Sequence, residues 1–463
     1  MTCKVQPHHG RPYLGREAIA KETLSPPERA FLVGVDWKSR PAGRYVEHAW
    51  NATESLAELE RLAETAGLEV VGKSTQRLDQ PHPATFVGKG KAEEIAGTVH
   101  ELGADVVIFD DELSPRHQRE LEAIFGDKVK VLDRTGLILD IFALHANTRE
   151  GALQVELAQY EYRLPRLTQA WTDRAYSQQT GGRAGGATGG VGLRGPGETR
   201  LELDRRIIRR RIAQIERELE EVRAHRARHR HQRRRGGLPT VALVGYTNAG
   251  KSTLLNTLSG SEIYVADELF ATLDPTVRRV DLPGGTAILI TDTVGFIQKL
   301  PTTLIAAFRA TLEEVQEADL LLHVIDASHP QAREQARAVY DTLQEIGASD
   351  IPLLTALNKV DRFEDPQAAG LALYDLPNTV AISALTGYGL DTLKLRLEEV
   401  LEAEMARVKV QLPFDRGDLV SLFHERGLIQ TEEYQEQGTY IVGRIPHTLL
   451  PQFEAYQVKA QRR

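Results

Sequence analysis

Short apolar runs alternate with amphipathic stretches over the first third of the chain. The apolar runs predict strands over residues 30–35, 68–72, 105–109 and 128–132. The amphipathic stretches predict helices over residues 54–66, 91–102 and 115–125. Because a helix is the usual crossover between two parallel strands, this alternation predicts a small parallel α/β domain over residues 31–146. Residues 1–30 are polar and contain proline and glycine, which is typical of a flexible extension.

A segment rich in glycine and lysine, Val87-Gly88-Lys89-Gly90-Lys91, directly precedes the second predicted helix. Backbone N–H groups at a helix N-terminus can hold an anion. The segment is too short for a nucleotide site, however, and we favour a tight turn with exposed lysines.

Apolar residues recur at helical spacing on both sides of a glycine-rich segment between residues 147 and 237. They are Leu153, Leu157, Tyr160 and Leu164 before it, and Leu201, Ile208, Ile212, Ile215, Leu219 and Val222 after it. We interpret the two stretches as long helices packed antiparallel, with the segment 181–198 at their tip. A flexible linker is the alternative. A linker needs no amphipathic flanks, however, and Arg183 and Arg194 add charge to the segment.

The second of these helices is strongly basic. Residues 194–235 contain 15 arginines, no lysine and 7 acidic residues, and the run 223–235 contains no acid at all. The whole chain carries a net charge of −8, so positive charge is concentrated on one element of an acidic protein. Charge runs are often only solvated faces. The arginine density beside a glycine-rich tip nevertheless leads us to favour RNA binding through phosphate and shape contacts.

The apolar run 240–244 is followed by a phosphate-loop motif and then by a helical stretch. The motif Gly-x-x-x-x-Gly-Lys-Ser consists of Gly245, Tyr246, Thr247, Asn248, Ala249, Gly250, Lys251 and Ser252. Between a strand and a helix, such a loop binds phosphates through its backbone N–H groups, which the glycines allow to approach closely. Lys251 is predicted to neutralise the β- and γ-phosphates, and the Ser252 hydroxyl is predicted to bind Mg²⁺.

A second motif, Asp292-Thr293-Val294-Gly295, ends the apolar run 287–290. There Asp292 can hold Mg²⁺ through water and Gly295 can donate its N–H to the γ-phosphate, so Lys251 and Gly295 are the predicted catalytic residues. The preceding segment is a candidate switch and contains Phe270, Ala271, Thr272, Leu273 and Asp274. A threonine hydroxyl there would complete the Mg²⁺ shell only while the γ-phosphate is present, and Thr272 and Thr276 are rivals for this role.

Two further motifs at strand ends select the base. The first is Asn358-Lys359-Val360-Asp361 after the run 351–357, and the second is Ser383-Ala384-Leu385 after 380–382. A carboxylate accepts two parallel hydrogen bonds from guanine N1–H and N2–H₂, a pair that adenine lacks, and a backbone N–H of the second motif can donate to guanine O6. Each motif alone is often a turn or a helix cap. Their order and their places at strand ends together predict a GTP-binding G domain over residues 238–403.

Phe296 stands where Ras-like GTPases carry a glutamine that orients the attacking water. A phenyl ring cannot orient water by hydrogen bonding, so we expect slow intrinsic hydrolysis that a partner or a cation accelerates. Asn248 occupies the loop position where potassium-activated GTPases carry an asparagine that binds the ion, which makes K⁺ a candidate cofactor. A loop-stabilising asparagine is an equally good interpretation.

Composition narrows the class of protein. Hydrophobic residues make up 41% and charged residues 26% of the 463 residues, which is ordinary for a soluble chain of about three domains. Cys3 is the single cysteine, so no intrachain disulfide can form. No apolar stretch approaches the ~18 residues of a membrane span, and the N-terminus lacks the apolar core of a signal peptide. We therefore expect a cytoplasmic protein without a membrane partner.

The chain resembles the HflX family of ribosome-associated GTPases. The resemblance covers roughly residues 31–463 and is carried by the segment from 87–91 through 132–135, by the glycine-rich segment ending at 195–199, and by 201–206, 248–256 and 292–297. The specific part is the glycine-rich segment ending in Gly195-Pro196-Gly197-Glu198-Thr199 together with the acidic-Arg-Arg segment 201–206, because other GTPases do not carry it.

The resemblance implies a GTPase that binds the large (50S) ribosomal subunit, hydrolyses GTP to GDP with ribosome stimulation, and splits stalled or idle ribosomes. It also implies that the tip of the helical arm touches ribosomal RNA, that Ser252 and Thr272 bind Mg²⁺, and that residues 270–274 contact the nucleotide. We expect a monomer that associates with ribosomes. A GTPase that remodels another structured RNA and a nucleotide-gated scaffold with incidental hydrolysis are the alternatives.

Residues 404–463 complete the predicted α/β architecture with a small α+β domain. Strands are predicted over residues 408–410, 429–434 and 439–442, and helices over 419–426 and 448–456. The segment carries no chemical constellation, so we expect it to make ribosome or interdomain contacts.

Overall fold

The structure is a computed structural model that describes most of the chain. The described residues are 26–38, 51–167, 200–235, 238–260, 269–270, 276–299, 309–365, 376, 378–403, 405–446 and 449–458. The predicted extension up to residue 25, the glycine-rich segment 181–198 and the switch residues Ala271, Thr272, Leu273 and Asp274 lie outside them.

The N-terminal part is the predicted parallel sheet with crossover helices. Its strands, in the order β2-β1-β3-β4, are β1 (Arg29–Trp37), β2 (Glu69–Leu78), β3 (Val106–Phe109) and β4 (Lys130–Asp133), all parallel. Its first helices are α1 (Ala52–Thr65), α2 (Lys89–Leu102) and α3 (Pro115–Phe125). Local sequence fixes their ends: Asn51 and Glu54 form a capping box on α1, and Ser114 caps α3. The four strands and three helices predicted from periodicity are confirmed.

Two local features differ from the sequence expectations. The favoured tight turn over residues 87–91 is wrong, because Gly88 is the N-cap of α2 and Lys89 is its first residue. A further helix, α4 (Arg134–His145), was not predicted. Most of its side chains are buried, so it shows no polar face whose period could be read.

The predicted helical arm is present. It consists of α5 (Arg149–Arg163) and α6 (Arg200–Arg235), of which the second is 36 residues long. Arg211 forms a hydrogen-bonded pair with Glu156 at 2.8 Å, and Arg149 lies 3.6 Å from Glu218. This reversed pairing shows that the helices run antiparallel, and Leu153, Ile215 and Leu219 are buried between them.

The G domain is built on a six-stranded sheet in the order β10-β9-β8-β5-β7-β6. The strands are β5 (Thr240–Gly245), β6 (Thr276–Asp281), β7 (Ala287–Asp292), β8 (Leu320–Asp326), β9 (Leu353–Asn358) and β10 (Thr379–Ala381). Its helices are α7 (Lys251–Ser259), α8 (Arg309–Gln316), α9 (Ala332–Glu345) and α10 (Leu390–Ala403). Only β6 is antiparallel to its neighbour, so the carboxyl ends of the other five strands meet at one edge.

The C-terminal part is the predicted small α+β unit. An antiparallel sheet in the order β11-β13-β12 consists of β11 (Met405–Leu412), β12 (Leu428–Gln435) and β13 (Gly438–Pro446). Its helices are α11 (Gly417–Arg426) and the short α12 (Leu450–Phe453). Phe423 and Phe453 are fully buried and pack edge to face at 5.4 Å.

The N-terminal domain and the G domain share a hydrophobic core. One cluster of buried residues runs from α1 and α4 to the phosphate loop and the residues after β7. Phe142 of α4 and Phe270 of the switch segment pack with their ring centroids 4.5 Å apart. The beginning of the predicted switch is therefore anchored on the N-terminal domain.

Candidate functional site

The phosphate loop lies where the sequence places it, between β5 and α7. A Cβ on Gly245 would lie 2.3 Å from the carbonyl oxygen of Val324. Gly250 has φ +94°, and a Cβ there would lie 2.3 Å from Nδ2 of Asn358. Both glycines are thus required by contacts within the protein, in addition to the predicted approach of a phosphate.

Lys251 is buried at the first position of α7. Its Nζ donates to the carbonyl oxygens of Gly245 at 3.1 Å and Tyr246 at 2.8 Å. Burial lowers the pKa of Lys251 to about 8, although the nearby Asp292 carboxylate opposes that shift. The loop thus holds a desolvated ammonium group for which a phosphate would be a strong partner.

Ser252, the second residue of α7, lies beside Asp292, the last residue of β7. The Ser252 hydroxyl donates to Oδ2 of Asp292 at 2.6 Å. A hydroxyl and a carboxylate are hard oxygen ligands of the kind that Mg²⁺ prefers, so this pair fits the ion. Thr276 is the first residue of β6 and pairs with Asp292 in the ladder, whereas Thr272 lies outside the described residues. The choice between the two threonines stays a prediction.

Gly295 packs directly on the phosphate loop. A Cβ at this position would lie 2.8 Å from Cα of Thr247 and 3.0 Å from Nζ of Lys251. The next residue, Phe296, pairs with the loop: Thr247 N–H donates to its carbonyl oxygen at 2.9 Å, and its own N–H donates to Gly245 at 3.1 Å. The Phe296 ring is buried in the shared core, which gives this residue a packing role in place of a water-orienting one.

Asn358 links the guanine motif to the phosphate loop. Its Nδ2 donates to the Ala249 carbonyl oxygen at 2.8 Å, and its Oδ1 accepts from Ala384 N–H at 2.9 Å. Lys359 donates to the Asn248 carbonyl oxygen at 2.8 Å and pairs with Asp326 at the same distance. The fold therefore brings the phosphate loop and the two base-selecting motifs to one edge of the sheet.

The remaining predicted base-pocket residues surround this link. Val360 and Asp361 lie in a short 3-10 turn, Val360–Arg362, in which Val360 is buried and Asp361 exposed. Ser383 is buried, and its Oγ accepts from Thr386 N–H at 3.1 Å, while Leu385 is 79% exposed. Donation from this segment to guanine O6 stays a prediction, as does pairing of Asp361 with the base.

Sequence reasoning missed a buried ionic network between the N-terminal domain and the G domain. Arg134 pairs with Glu58 and, at 2.8 Å, with Asp110. Asp110 also accepts from Lys299 at 2.5 Å, and Glu58 accepts from the Tyr246 hydroxyl at 2.5 Å. Although burial opposes ionisation, Lys299 and Arg134 lower the pKa of Asp110 to about 2. An acidic pair, Asp110 and Asp111, at the end of a predicted strand was the one sequence signal of this network.

The N-terminal domain also forms one wall of a cavity beside the phosphate loop. The cavity measures about 250 Å³ and lies between α1, the phosphate loop and the loop after β8. Residues Glu54, Glu58 and Arg61 of α1 line it. The space next to the predicted nucleotide site is thus bounded by two domains.

The described parts of the chain contain neither a membrane-spanning helix nor a further group of metal-binding side chains. None of the helices in those ranges has the length and apolarity needed to cross a lipid bilayer. Within the same ranges, no three His, Cys, Asp or Glu side chains are grouped so that they could hold a metal ion.

Four family models match consecutive parts of the chain. Models described as "GTP-binding GTPase N-terminal" and "GTP-binding GTPase Middle Region" match residues 53–143 and 145–233. A model described as "50S ribosome-binding GTPase" matches residues 240–359, and one described as "HflX C-terminal domain" matches residues 373–445. The matches therefore cover most of the elements described above, but not the first strand, the 3-10 turn Val360–Arg362 or the last short helix.

Individual relatives are similar over most of their length. GTPase HflX of Escherichia coli (strain K12) is 47% identical over 387 residues, which are 83% of this chain and 88% of that protein. GTPase HflX of Lacrimispora saccharolytica is 46% identical over 401 residues, which are 86% of this chain and 91% of that protein. A crystal structure of a GTP-binding protein from the archaeon Sulfolobus solfataricus in complex with GDP is 24% identical, with a TM-score of 0.41, and covers 81% of this chain and 99% of that chain.

Proposed function

We propose that this chain, which belongs to the HflX family of GTPases, acts on ribosomes in the cytoplasm. The chain is a GTP hydrolase of a ribosome-associated family. In the proposed function, it binds the large ribosomal subunit as a monomer and splits or rescues stalled or idle ribosomes. GTP favours the bound state, and hydrolysis releases the protein.

The proposal is supported by contacts between the predicted phosphate-binding and guanine-binding motifs, most of whose residues lie in the segment 240–359 that matches the model described as "50S ribosome-binding GTPase". Asn358 ties the guanine motif to the phosphate loop, and Gly295 packs beside Lys251. We assign phosphate binding to residues 245–252, with Lys251 and Gly295 at the γ-phosphate, and guanine recognition to residues 358–361 and 383–385.

Mg²⁺ would be held by Ser252 and, through water, by Asp292, with Thr272 as the further ligand that the resemblance implies. The ion would supply positive charge between the β- and γ-phosphates. K⁺ at Asn248 is a second candidate cofactor. Asn248 has φ +59°, a backbone conformation that asparagine tolerates, which also agrees with a purely loop-stabilising role.

The helical arm is the proposed ribosomal RNA contact. Its second helix, α6, is 36 residues long, and the last third of its sequence contains seven arginines and three histidines between residues 223 and 235. Arginine-rich elements bind RNA mainly through phosphates, so the affinity falls steeply with salt.

The first test is GTP turnover with and without purified large ribosomal subunits, in potassium buffer. We expect a stimulation of about tenfold or more, because Phe296 leaves the attacking water without a hydrogen-bonding side chain. Lys251→Ala, which removes the phosphate-binding cation, is the background control. If GTP binds but ribosomal subunits have no effect, the arm serves another RNA. Equal rates in sodium and potassium would remove the proposed K⁺ site.

The arm is tested by sedimentation with ribosomal subunits. The triple variant Arg226→Ala, Arg230→Ala, Arg234→Ala should lose binding, whereas intrinsic GTP turnover should be unchanged. A matched variant, Arg333→Ala with Arg337→Ala on α9, removes surface arginines elsewhere and should bind normally. Light scattering of intact ribosomes then measures splitting, and binding without loss of scattering would restrict the function to silent association.

A further inference from the structure

The phosphate loop carries a tyrosine whose hydroxyl has no part in binding phosphate. The motif Gly-x-x-x-x-Gly-Lys-Ser leaves its second position open, because the loop binds phosphate through backbone N–H groups and its lysine. Here the position is Tyr246, which is 3% exposed and packs in the core shared by the two domains. Such a burial of a polar group requires hydrogen-bond partners, and these partners indicate its role.

The Tyr246 hydroxyl joins three parts of the molecule. It donates to Oε1 of Glu58 on α1 at 2.5 Å, and it accepts from the backbone N–H of Gln298 at 2.8 Å. Gln298 follows Gly295 by three residues, on the segment that leaves β7. One side chain of the phosphate loop therefore links the N-terminal domain to the segment that carries the predicted γ-phosphate donor.

Both partners of the hydroxyl are themselves fixed. The other oxygen of Glu58 pairs with Arg134, whose side chain is 2% exposed and also binds Asp110. Asp110 in turn binds Lys299, the residue after Gln298, at 2.5 Å. The acceptor for the tyrosine is thus a carboxylate that the N-terminal domain holds in place, so the hydroxyl proton points to Glu58 and its lone pair faces Gln298.

We propose that Tyr246 is a positioning residue for GTP hydrolysis, through which Glu58 of the N-terminal domain sets the place of Gly295 at the γ-phosphate. Three backbone contacts hold this segment on the loop: Thr247 N–H to Phe296, Phe296 N–H to Gly245, and Gln298 N–H to the tyrosine. Of these three contacts, the one from Gln298 depends on the side chain of Tyr246, which Glu58 of the N-terminal domain holds. The proposal rests on the proposed role of Gly295, but it does not depend on the ribosome.

Tyr246→Phe tests this directly, because it keeps the buried ring and removes only the hydroxyl. We expect kcat of intrinsic GTP turnover to fall about five- to tenfold, the effect of losing one ordinary hydrogen bond that is used in the transition state. The affinity for GDP should change less than about twofold, because GDP has no γ-phosphate. Tyr434→Phe, at a tyrosine that is 78% exposed, is the matched control and should leave both quantities unchanged.

Glu58→Gln tests the contribution of the N-terminal domain without changing the G domain. A neutral amide accepts a weaker hydrogen bond than a carboxylate, so kcat should fall about two- to threefold with unchanged GDP affinity. A rise in kcat of Tyr246→Phe would overturn the proposal and mean that the anchor restrains hydrolysis. Equal losses of GDP and GTP affinity would also overturn it, because they would show a role in folding of the loop alone. Equal kcat values of the unmodified protein and Tyr246→Phe would also overturn the proposal. If the unmodified protein neither binds nor hydrolyses GTP, the proposed function itself fails, which is a distinct result.

Discussion

Gly250 offers a sharp test of how the phosphate loop and the guanine motif depend on each other. Its φ of +94° disfavours any side chain, and a Cβ would lie 2.3 Å from Nδ2 of Asn358. In Gly250→Ala, Asn358 has to move, and its hydrogen bonds to Ala249 and Ala384 are lost or weakened. The substitution therefore acts on both halves of the nucleotide pocket.

The size of the free-energy cost of Gly250→Ala follows from these contacts. Strain at a left-handed backbone position costs about 1–2 kcal/mol, and two hydrogen bonds contribute about 1 kcal/mol each. Gly260→Ala is the matched control, because Gly260 is also left-handed, with φ +64°, but has nothing within 4 Å of its Cβ position. The difference between the two variants isolates the displacement of Asn358 and should be about 2 kcal/mol.

The assay is GDP affinity, measured by calorimetry or fluorescence titration. We expect Gly250→Ala to bind GDP about a hundredfold more weakly than the unmodified protein, and Gly260→Ala to remain within about threefold. Equal GDP affinities in the two variants would contradict this prediction, because they would show that Asn358 can move without weakening GDP binding.

Three further outcomes follow from buried charges and a buried imidazole. Burial lowers the pKa of Lys251 to about 8, so the cationic form is lost above that pH. GDP affinity should therefore fall about tenfold from about pH 7 to about pH 9. A GDP affinity that does not change over this pH range would contradict the prediction. Neither ring nitrogen of His323 has a hydrogen-bond partner among the described residues, and burial lowers its pKa to about 3. As the pH falls below about 6.5, the unfolded state therefore takes up a proton before the folded state does, and the free energy of unfolding falls by about 2 kcal/mol at about pH 5. His323→Leu removes this proton uptake and should not show that loss. Thermal unfolding at two pH values measures the difference. Arg134→Met leaves the buried Glu58 without its cation, while Asp110 keeps Lys299, and should lower the free energy of unfolding in urea by about 3–5 kcal/mol. Arg116→Met, at an exposed arginine, should change it by less than about 0.5 kcal/mol.

The fold and the order of the nucleotide motifs could be predicted because both depend on near neighbours in the chain. Alternating apolar runs and amphipathic stretches predicted the N-terminal sheet, and strand-end motifs at Gly245, Asp292 and Asn358 predicted a G domain. Parallel strands bring their carboxyl ends together, so the meeting of these motifs follows from element order alone. The helix α4 escaped prediction because a helix buried on nearly all sides has no polar face.

Contacts between distant residues were decided only by the tertiary structure. The sequence marked Asn358 as a base-pocket residue, but its link to Ala249, 109 positions away, depends on how β9 packs beside the phosphate loop. The order of residues along the chain is enough to identify a phosphate loop and a guanine motif. Packing decided that Tyr246 meets Glu58 across 188 positions and that Arg134 is buried between Glu58 and Asp110. Local propensity is set by a residue's neighbours, whereas a buried ionic network requires several elements to meet at once, and no short stretch of sequence contains that information.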